Sequence, residues 1–290
     1  MAEQKHVFLA EPRGFCFGVK KALQLLDKVI GDHPDEPIYV FNEIVHNKPL
    51  VDAYQQKGVV FTKEIDSIPA SATVVISAHG CAPQIRDRLR THCLHLIDAT
   101  CPLVKKVHDE VHIYSRQGEH ILYIGDPDHD EAKGVIAENP DNISVVYVPQ
   151  DIERIPSHFE AYRVLNQTTL NLQDVNALVE QIRLKYPQVS APPRKDVCFA
   201  STARQDIVRQ LSQKCDLFLV IGSANSSNSI KLRNIAQEQV LAYLLDSADE
   251  LDSAWLSGVN RIGLTAGASA PEYLVQNMLR KLNDLGYVLA

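Results

Sequence analysis

Three cysteines in this 290-residue chain open one recurring pattern. Cys16 stands in Arg-Gly-Phe-Cys-Phe-Gly-Val, Cys101 in Asp-Ala-Thr-Cys-Pro-Leu-Val and Cys198 in Asp-Val-Cys-Phe-Ala-Ser-Thr. Each is followed by a helix-like stretch and then by two apolar strands ending in small polar residues. The first polar strand end comes 30, 28 and 28 residues after its cysteine, at His46, His129 and Ser226. The second comes after 63, 67 and 71 residues, at His79, Thr168 and Ser269. Three similar units, each offering one thiolate and two polar strand ends, could converge on one metal centre and one ligand.

Apolar spacing predicts the helices. Val19, Leu23, Leu26 and Ile30 mark one face of the first; Val104, Val107, Val111 and Tyr114 repeat it after Cys101. Val175, Leu178, Val179 and Ile182 mark another, which Asn171 or Asp174 could cap. Leu274, Val275, Met278, Leu279 and Leu282 mark the last, with Gly286 as its stop. Short apolar runs at 38–41, 74–76, 121–124, 163–165, 217–221 and 261–264 read as strands. Runs such as 217–221 look buried on both faces, as in parallel sheets. Strands alternating with helices imply parallel α/β units, in which ligands bind beyond the carboxyl ends of the strands. All six polar strand ends occupy that position.

Breaks near the cysteines divide the chain into residues 16–100, 101–194 and 195–290, with residues 1–15 expected to join the third part. Ser190-Ala191-Pro192-Pro193-Arg194-Lys195 is the clearest linker. The net charge of −7 and the lack of a Lys/Arg block argue against a nucleic-acid partner. The pair Lys105-Lys106 reads as a solvated helix face. No apolar run approaches the roughly 20 residues of a membrane span. No signal pattern opens the chain, so a cytoplasmic location is expected.

Six cysteines in such a chain do not suggest a disulfide framework. Cys81, Cys93 and Cys215 lie outside the repeat, and Cys215 is expected on the apolar face of a helix with Ile207, Val208 and Leu211. The three repeat cysteines are too far apart in sequence for a zinc finger. Three thiolates without an obvious fourth partner fit an iron–sulfur cluster with one iron left open. A catalytic zinc on three sulfurs, or three structural cysteines, are the alternatives.

The stretch 222–229, Gly-Ser-Ala-Asn-Ser-Ser-Asn-Ser, follows the most apolar strand and precedes a helix. Hydroxyls, amides and backbone N–H groups at a helix start suit an anion. Residues 265–271, Thr-Ala-Gly-Ala-Ser-Ala-Pro, offer the same groups at the next strand end. Together with His46 and His79 they suggest a phosphate or diphosphate pocket; taken singly, each is a capped polar turn. No Walker-type Gly-x-x-x-x-Gly-Lys is present. In the middle part, Gly125-Asp126-Pro127-Asp128-His129-Asp130-Glu131 puts carboxylates at a strand end. Beside a metal site, one of them could donate protons if burial or like charge raised its pKa. A solvated acidic turn is the other reading.

These segments, with Val45-His46-Asn47, Ser77-Ala78-His79-Gly80, Asp98-Ala99-Thr100-Cys101-Pro102, Gln167-Thr168-Thr169 and Ser226-Ser227-Asn228-Ser229, resemble the 4-hydroxy-3-methylbut-2-enyl diphosphate reductase family, in order over nearly the whole chain. The resemblance implies three similar parallel-sheet α/β lobes in a pseudo-threefold trefoil around a central 4Fe–4S cluster. Cys16, Cys101 and Cys198 would hold that cluster. His46, His79, Ser226, Ser227, Asn228 and Ser269 would bind the diphosphate. Glu131 would deliver protons, helped by Thr168 and His129, which also meet the substrate. The products would be isopentenyl and dimethylallyl diphosphate, and a ferredoxin or flavodoxin would supply single electrons. The chain departs from the family at Asp130, where proline is usual, and at Ala203, where asparagine often precedes Arg204-Gln205. Quinolinate synthase is similar in plan but needs no external electrons. A non-catalytic iron–sulfur sensor on the same fold is the remaining reading.

Overall fold

The structure is a computed structural model that describes residues 4–191 and 196–290. The proline pair of the expected linker, and the boundary at 194/195, lie outside the described residues. The chain begins β1 (Lys5–Leu9), α1 (Phe17–Asp32), β2 (Ile38–Phe41), α2 (Lys48–Gln56), β3 (Val60–Thr62), β4 (Thr73–Ile76), α3 (Pro83–His92), β5 (His95–Asp98). It continues α4 (Pro102–Arg116), β6 (His120–Ile124), α5 (Asp130–Ile136), β7 (Ile143–Val146), β8 (Tyr162–Asn166), α6 (Leu172–Lys185), β9 (Val189–Ser190). It ends α7 (Phe199–Ser212), β10 (Leu217–Ile221), α8 (Ser227–Gln237), β11 (Leu241–Leu245), β12 (Arg261–Ala266), α9 (Glu272–Asp284), β13 (Tyr287–Leu289).

The strands form three parallel sheets, in the orders β3-β2-β4-β5, β7-β6-β8-β9 and β11-β10-β12-β1-β13. This is the α/β class read from the sequence. In the two four-stranded sheets, and in the five-stranded sheet counted from β10, the chain places its second strand on one side of the first and its third on the other. Reversal of strand order opens a crevice at the carboxyl ends of the first and third strands. The polar motifs of the sequence follow those two strands in every sheet.

Alternation within a strand lets one sheet face two layers. In β10, Leu217, Leu219 and Ile221 join a core with Leu274, Val275 and Met278 of α9. Phe218 and Val220 point into a second core with Val208 of α7 and Leu232 and Ile235 of α8. In β6, Leu122 and Ile124 meet Val175, Leu178 and Ile182 of α6, while Ile121 and Tyr123 meet Val107, Val111 and Tyr114 of α4.

The described chain forms two compact units. One, of residues 4–20, 45–57 and 199–290, holds the five-stranded sheet. The other, of residues 21–44, 58–191 and 196–198, holds the two four-stranded sheets. Among the described residues no helix is long and apolar enough to cross a membrane.

Some expectations need correction. Cys215 is buried but lies beyond the end of α7, in the turn before β10. Lys106 is not on a solvated face: its Nζ reaches Asp196 Oδ1 at 2.6 Å and Glu110 Oε2 at 2.8 Å. The strands β1, β3, β5, β7, β9, β11 and β13 are present in addition to the six read from the sequence. Several are half-exposed, as in His95-Leu96-Ile97-Asp98, so no continuous apolar run announces them. Asn171 is the cap of α6, its Oδ1 accepting from Gln173 N at 3.1 Å. Gly286 follows α9 with φ +86°, the left-handed conformation that glycine adopts at a helix stop.

Candidate active site

The three repeat cysteines are placed by the same local device. Cys101 N donates to Ala78 O at 3.0 Å, Cys198 N to Thr168 O at 2.9 Å and Cys16 N to Ala268 O at 3.1 Å. Each acceptor lies two residues beyond the end of a third strand, β4, β8 or β12. Each cysteine therefore sits against the strand end of the segment that precedes it in cyclic order. Immediately after each, a helix begins, so its sulfur stands at a helix N-terminus. At Cys16 this is explicit: Val19 N points at Sγ, 3.4 Å away.

All six cysteines are free, and these three are partly exposed. The others differ in chemistry. Burial pushes the Cys81 and Cys215 thiols up to about 11 and raises that of Cys93. No group of three or more His, Cys, Asp or Glu among the described residues is arranged to hold a single metal ion. A single zinc needs its sulfurs within about 2.3 Å of one point, whereas a cluster spreads them over several irons. Each of these three thiols is partly exposed at a helix start, and thiolate sulfur is the donor that an iron–sulfur group takes.

In the unit with two sheets, α5 begins at the carboxyl end of β6 and carries Glu131 in its first turn. Its side chain is fully buried, at 1% exposure. Both oxygens are held by one residue beyond β8: Oε1 accepts from Thr168 N at 2.7 Å and Oε2 from Thr168 Oγ1 at 2.9 Å. Burial pushes the carboxyl up to about 7, with the negative charge of Asp196 adding to it and the Thr168 bonds opposing it. His129 caps α5, its Nδ1 accepting from Glu131 N at 3.2 Å. With Nδ1 accepting, the ring proton sits on Nε2. The His79 ring stands edge-on to it, centroids 5.8 Å apart. Asp130 turns away, 3.6 Å from Lys63. The acidic segment is therefore split between a buried acid and an ion-paired neighbour.

In the unit with five strands, the turns after β10 and β12 meet at Ser229. Ser226 caps α8, and Ser229 Oγ bonds Ser226 Oγ at 3.0 Å. A Cβ on either Gly222 or Gly267 would overlap the buried Ser229 side chain, so both positions require glycine. The first turn of α8 consists of Ser227, Asn228 and Ser229, whose N–H groups belong to a helix start. Asn228 is 5% exposed, yet neither Oδ1 nor Nδ2 finds a hydrogen-bond partner within the protein. A buried amide left so is costly without a ligand. Ser269 Oγ donates to His46 O at 2.8 Å, tying the β12 turn to the start of α2. There Asn47 caps the helix through Leu50 N at 3.1 Å, and Ser223 Oγ accepts from Lys48 N at 2.8 Å.

The one unit thus holds Cys16, His46, Ser226, Ser227, Asn228 and Ser269; the other holds His79, Cys101, His129, Glu131, Thr168 and Cys198. Sequence reasoning missed Ser229, whose signal was its place three residues after the capping Ser226. It also missed Asp196, two residues before Cys198, which burial pushes up to about 6 against the pull of Lys106.

The family model described as "LytB protein" matches residues 7–283. The 4-hydroxy-3-methylbut-2-enyl diphosphate reductase of Methylococcus capsulatus is 42% identical over 285 residues, 97% of this chain and 91% of that protein. The reductase of Pseudomonas aeruginosa is 41% identical over 284 residues, covering 96% and 90%. The solved E-1-hydroxy-2-methyl-but-2-enyl-4-diphosphate reductase of Plasmodium falciparum is similar with a TM-score of 0.95 and 34% identity, over 99% of this chain and 91% of that one.

Proposed function

The chain belongs to the LytB protein family, and we propose that it reductively removes the hydroxyl of 4-hydroxy-3-methylbut-2-enyl diphosphate, giving isopentenyl and dimethylallyl diphosphate. The C–O bond breaks and the oxygen leaves as water with one proton. Two electrons and a second proton go to the allylic carbon skeleton. Protonation at one end or the other sets the product. The electrons come singly from a ferredoxin or flavodoxin, in the cytoplasm. The division at 100/101 and 194/195 into three α/β lobes, with residues 1–15 added to the third, belongs to the same reading.

Cys16, Cys101 and Cys198 are the residues that would hold a 4Fe–4S cluster. When bound, such a cluster supplies single-electron transfer and a Lewis-acidic iron for a poor leaving group. The chain's own groups do the rest. Asn228, with the hydroxyls of Ser226, Ser227 and Ser269 and the imidazoles of His46 and His79, binds the diphosphate. Neutral donors and a helix start neutralise its charge without a Lys/Arg cluster.

The observation that carries the reading is the Glu131–Thr168 pair. A carboxyl raised to about 7 holds its proton near neutrality. Buried at 1% exposure, it reaches outward through the Thr168 hydroxyl bonded to Oε2. With Glu131 protonated, its Oε2–H donates to Thr168 Oγ1 across the same 2.9 Å contact, and Oγ1 gives its own proton to the departing oxygen as it takes the one from Glu131. His129, the cap of α5, helps place the substrate beside them.

The test is anaerobic turnover of the reconstituted protein with 4-hydroxy-3-methylbut-2-enyl diphosphate and a reduced one-electron donor. Both products are expected from wild type, and neither from Cys101→Ser or Glu131→Gln. No product from protein that carries its cluster would overturn the reading.

A further inference from the structure

Two cations, Arg204 buried and Lys106 half-buried, stand outside the chemistry described so far, each on a helix that follows a cysteine. Lys106 lies five residues past Cys101 on α4, and Arg204 six residues past Cys198 on α7. Each reaches the residue two positions before another cysteine. Lys106 Nζ bonds Asp196 Oδ1 at 2.6 Å, before Cys198. Arg204 Nη2 bonds Gly14 O at 2.6 Å, before Cys16.

Both anchored residues are themselves fixed to a strand end. The other oxygen of Asp196, which is 0% exposed, accepts from Asn166 N at 3.1 Å, at the end of β8. Gly14 N donates to Ala266 O at 3.2 Å, at the end of β12. Gly14 has φ +62°, and a Cβ there would come within 3.3 Å of Ala270 O. The left-handed turn aims its carbonyl at the guanidinium. Arg204 is 3% exposed, and its Nη1 is held by Ala200 O at 2.6 Å. A planar guanidinium held at both ends fixes direction as well as distance. A buried charge stripped of its partner costs far more than an exposed one, so neither segment can drift freely.

We infer that Lys106 and Arg204 are positioning residues for Cys198 and Cys16, respectively. The helix behind Cys101 sets the approach to Cys198, and the helix behind Cys198 sets the approach to Cys16. The inference rests on the reading that these cysteines hold an iron–sulfur group.

Hydrogen exchange read by mass spectrometry on the full chain, with its cluster and after its removal, tests this. Arg204→Met should speed exchange in residues 13–19 by about tenfold, the loss of one charge-assisted hydrogen bond, and leave residues 196–198 unchanged. Lys106→Met should speed residues 164–168 and 196–198 similarly and leave 13–19 unchanged in the cluster-free chain. Iron per chain should fall in both and recover in Arg204→Lys and Lys106→Arg, which also serve if a methionine variant does not fold. The electron paramagnetic resonance spectrum of the reduced cluster should shift in both methionine variants. Lys105→Met, which removes a charge one residue away, should do none of this. Exchange that is unchanged, or faster evenly across the chain, would overturn the positioning role. Wild-type iron content in Cys16→Ser and Cys198→Ser would instead overturn the ligand reading beneath it.

Discussion

Replacing Glu131 with glutamine keeps the shape of a fully buried side chain and removes its charge. The carboxyl is pushed up to about 7 in the folded chain from an ordinary 4.5. Below pH 4.5 it is protonated folded or unfolded, and contributes nothing to pH dependence. Between 4.5 and 7 the unfolded chain releases the proton that the folded chain keeps, so stability falls as pH rises. Above 7 the loss is complete. About 2.5 pKa units at 1.36 kcal/mol each amount to about 3 kcal/mol. Glutamine cannot ionise, and its oxygen can still accept from Thr168 N. The stability of Glu131→Gln relative to wild type should therefore rise by about 3 kcal/mol between pH 4.5 and pH 8. Urea unfolding of both chains, free of cluster and at matched pH, measures that difference while every other titrating group cancels. A difference that stays flat with pH would show that the carboxyl titrates normally, and the burial argument would fail. Turnover gives the second reading: wild-type activity should decline as pH rises through about 7, and the variant should be nearly inactive at any pH. Near-normal turnover would remove Glu131 from the proton path.

Asn228→Ala should separate binding from folding: removing an amide that lacks protein partners leaves thermal stability unchanged or raised, while KM for the diphosphate rises by about tenfold or more. A fall in stability with unchanged KM would refute that assignment. Gly267→Ala places a methyl against Ser229, so calorimetry should show a loss of about 1–3 kcal/mol and kinetics a weaker diphosphate interaction. His129→Ala removes the cap of α5; amide exchange in residues 130–136 should quicken, at a cost of about 1 kcal/mol. Turnover should fall with it.

Much of the site was legible along the chain because its signals are local. A cysteine before a helix, a polar turn after an apolar run and a serine at a helix start all depend on near neighbours. Leu217–Ile221 declared a strand buried on both faces by its composition, and it is one. The departure at Asp130 is not what tunes the acid beside it. Asp130 is ion-paired with Lys63; burial raises Glu131, and the negative charge that adds to it is that of Asp196, 65 residues further along the chain. No spacing rule reveals such a neighbour.

The sequence by itself determined the three cysteine segments, the parallel α/β class, the chemistry of the strand ends and the family. Tertiary structure alone decided their partners. Cys101 is held by Ala78, Cys198 by Thr168 and Cys16 by Ala268, each across a segment boundary. Strand β1 lies between β12 and β13 although the chain has 251 residues between its end and the start of β12. Lys106, which reads as a surface lysine, is pinned to a buried carboxylate. The reason is physical: a parallel sheet joins strands through crossovers, so its neighbours are remote in sequence. Burial, which sets the acidity of Glu131 and the importance of Lys106, depends on what those remote segments bring against each side chain.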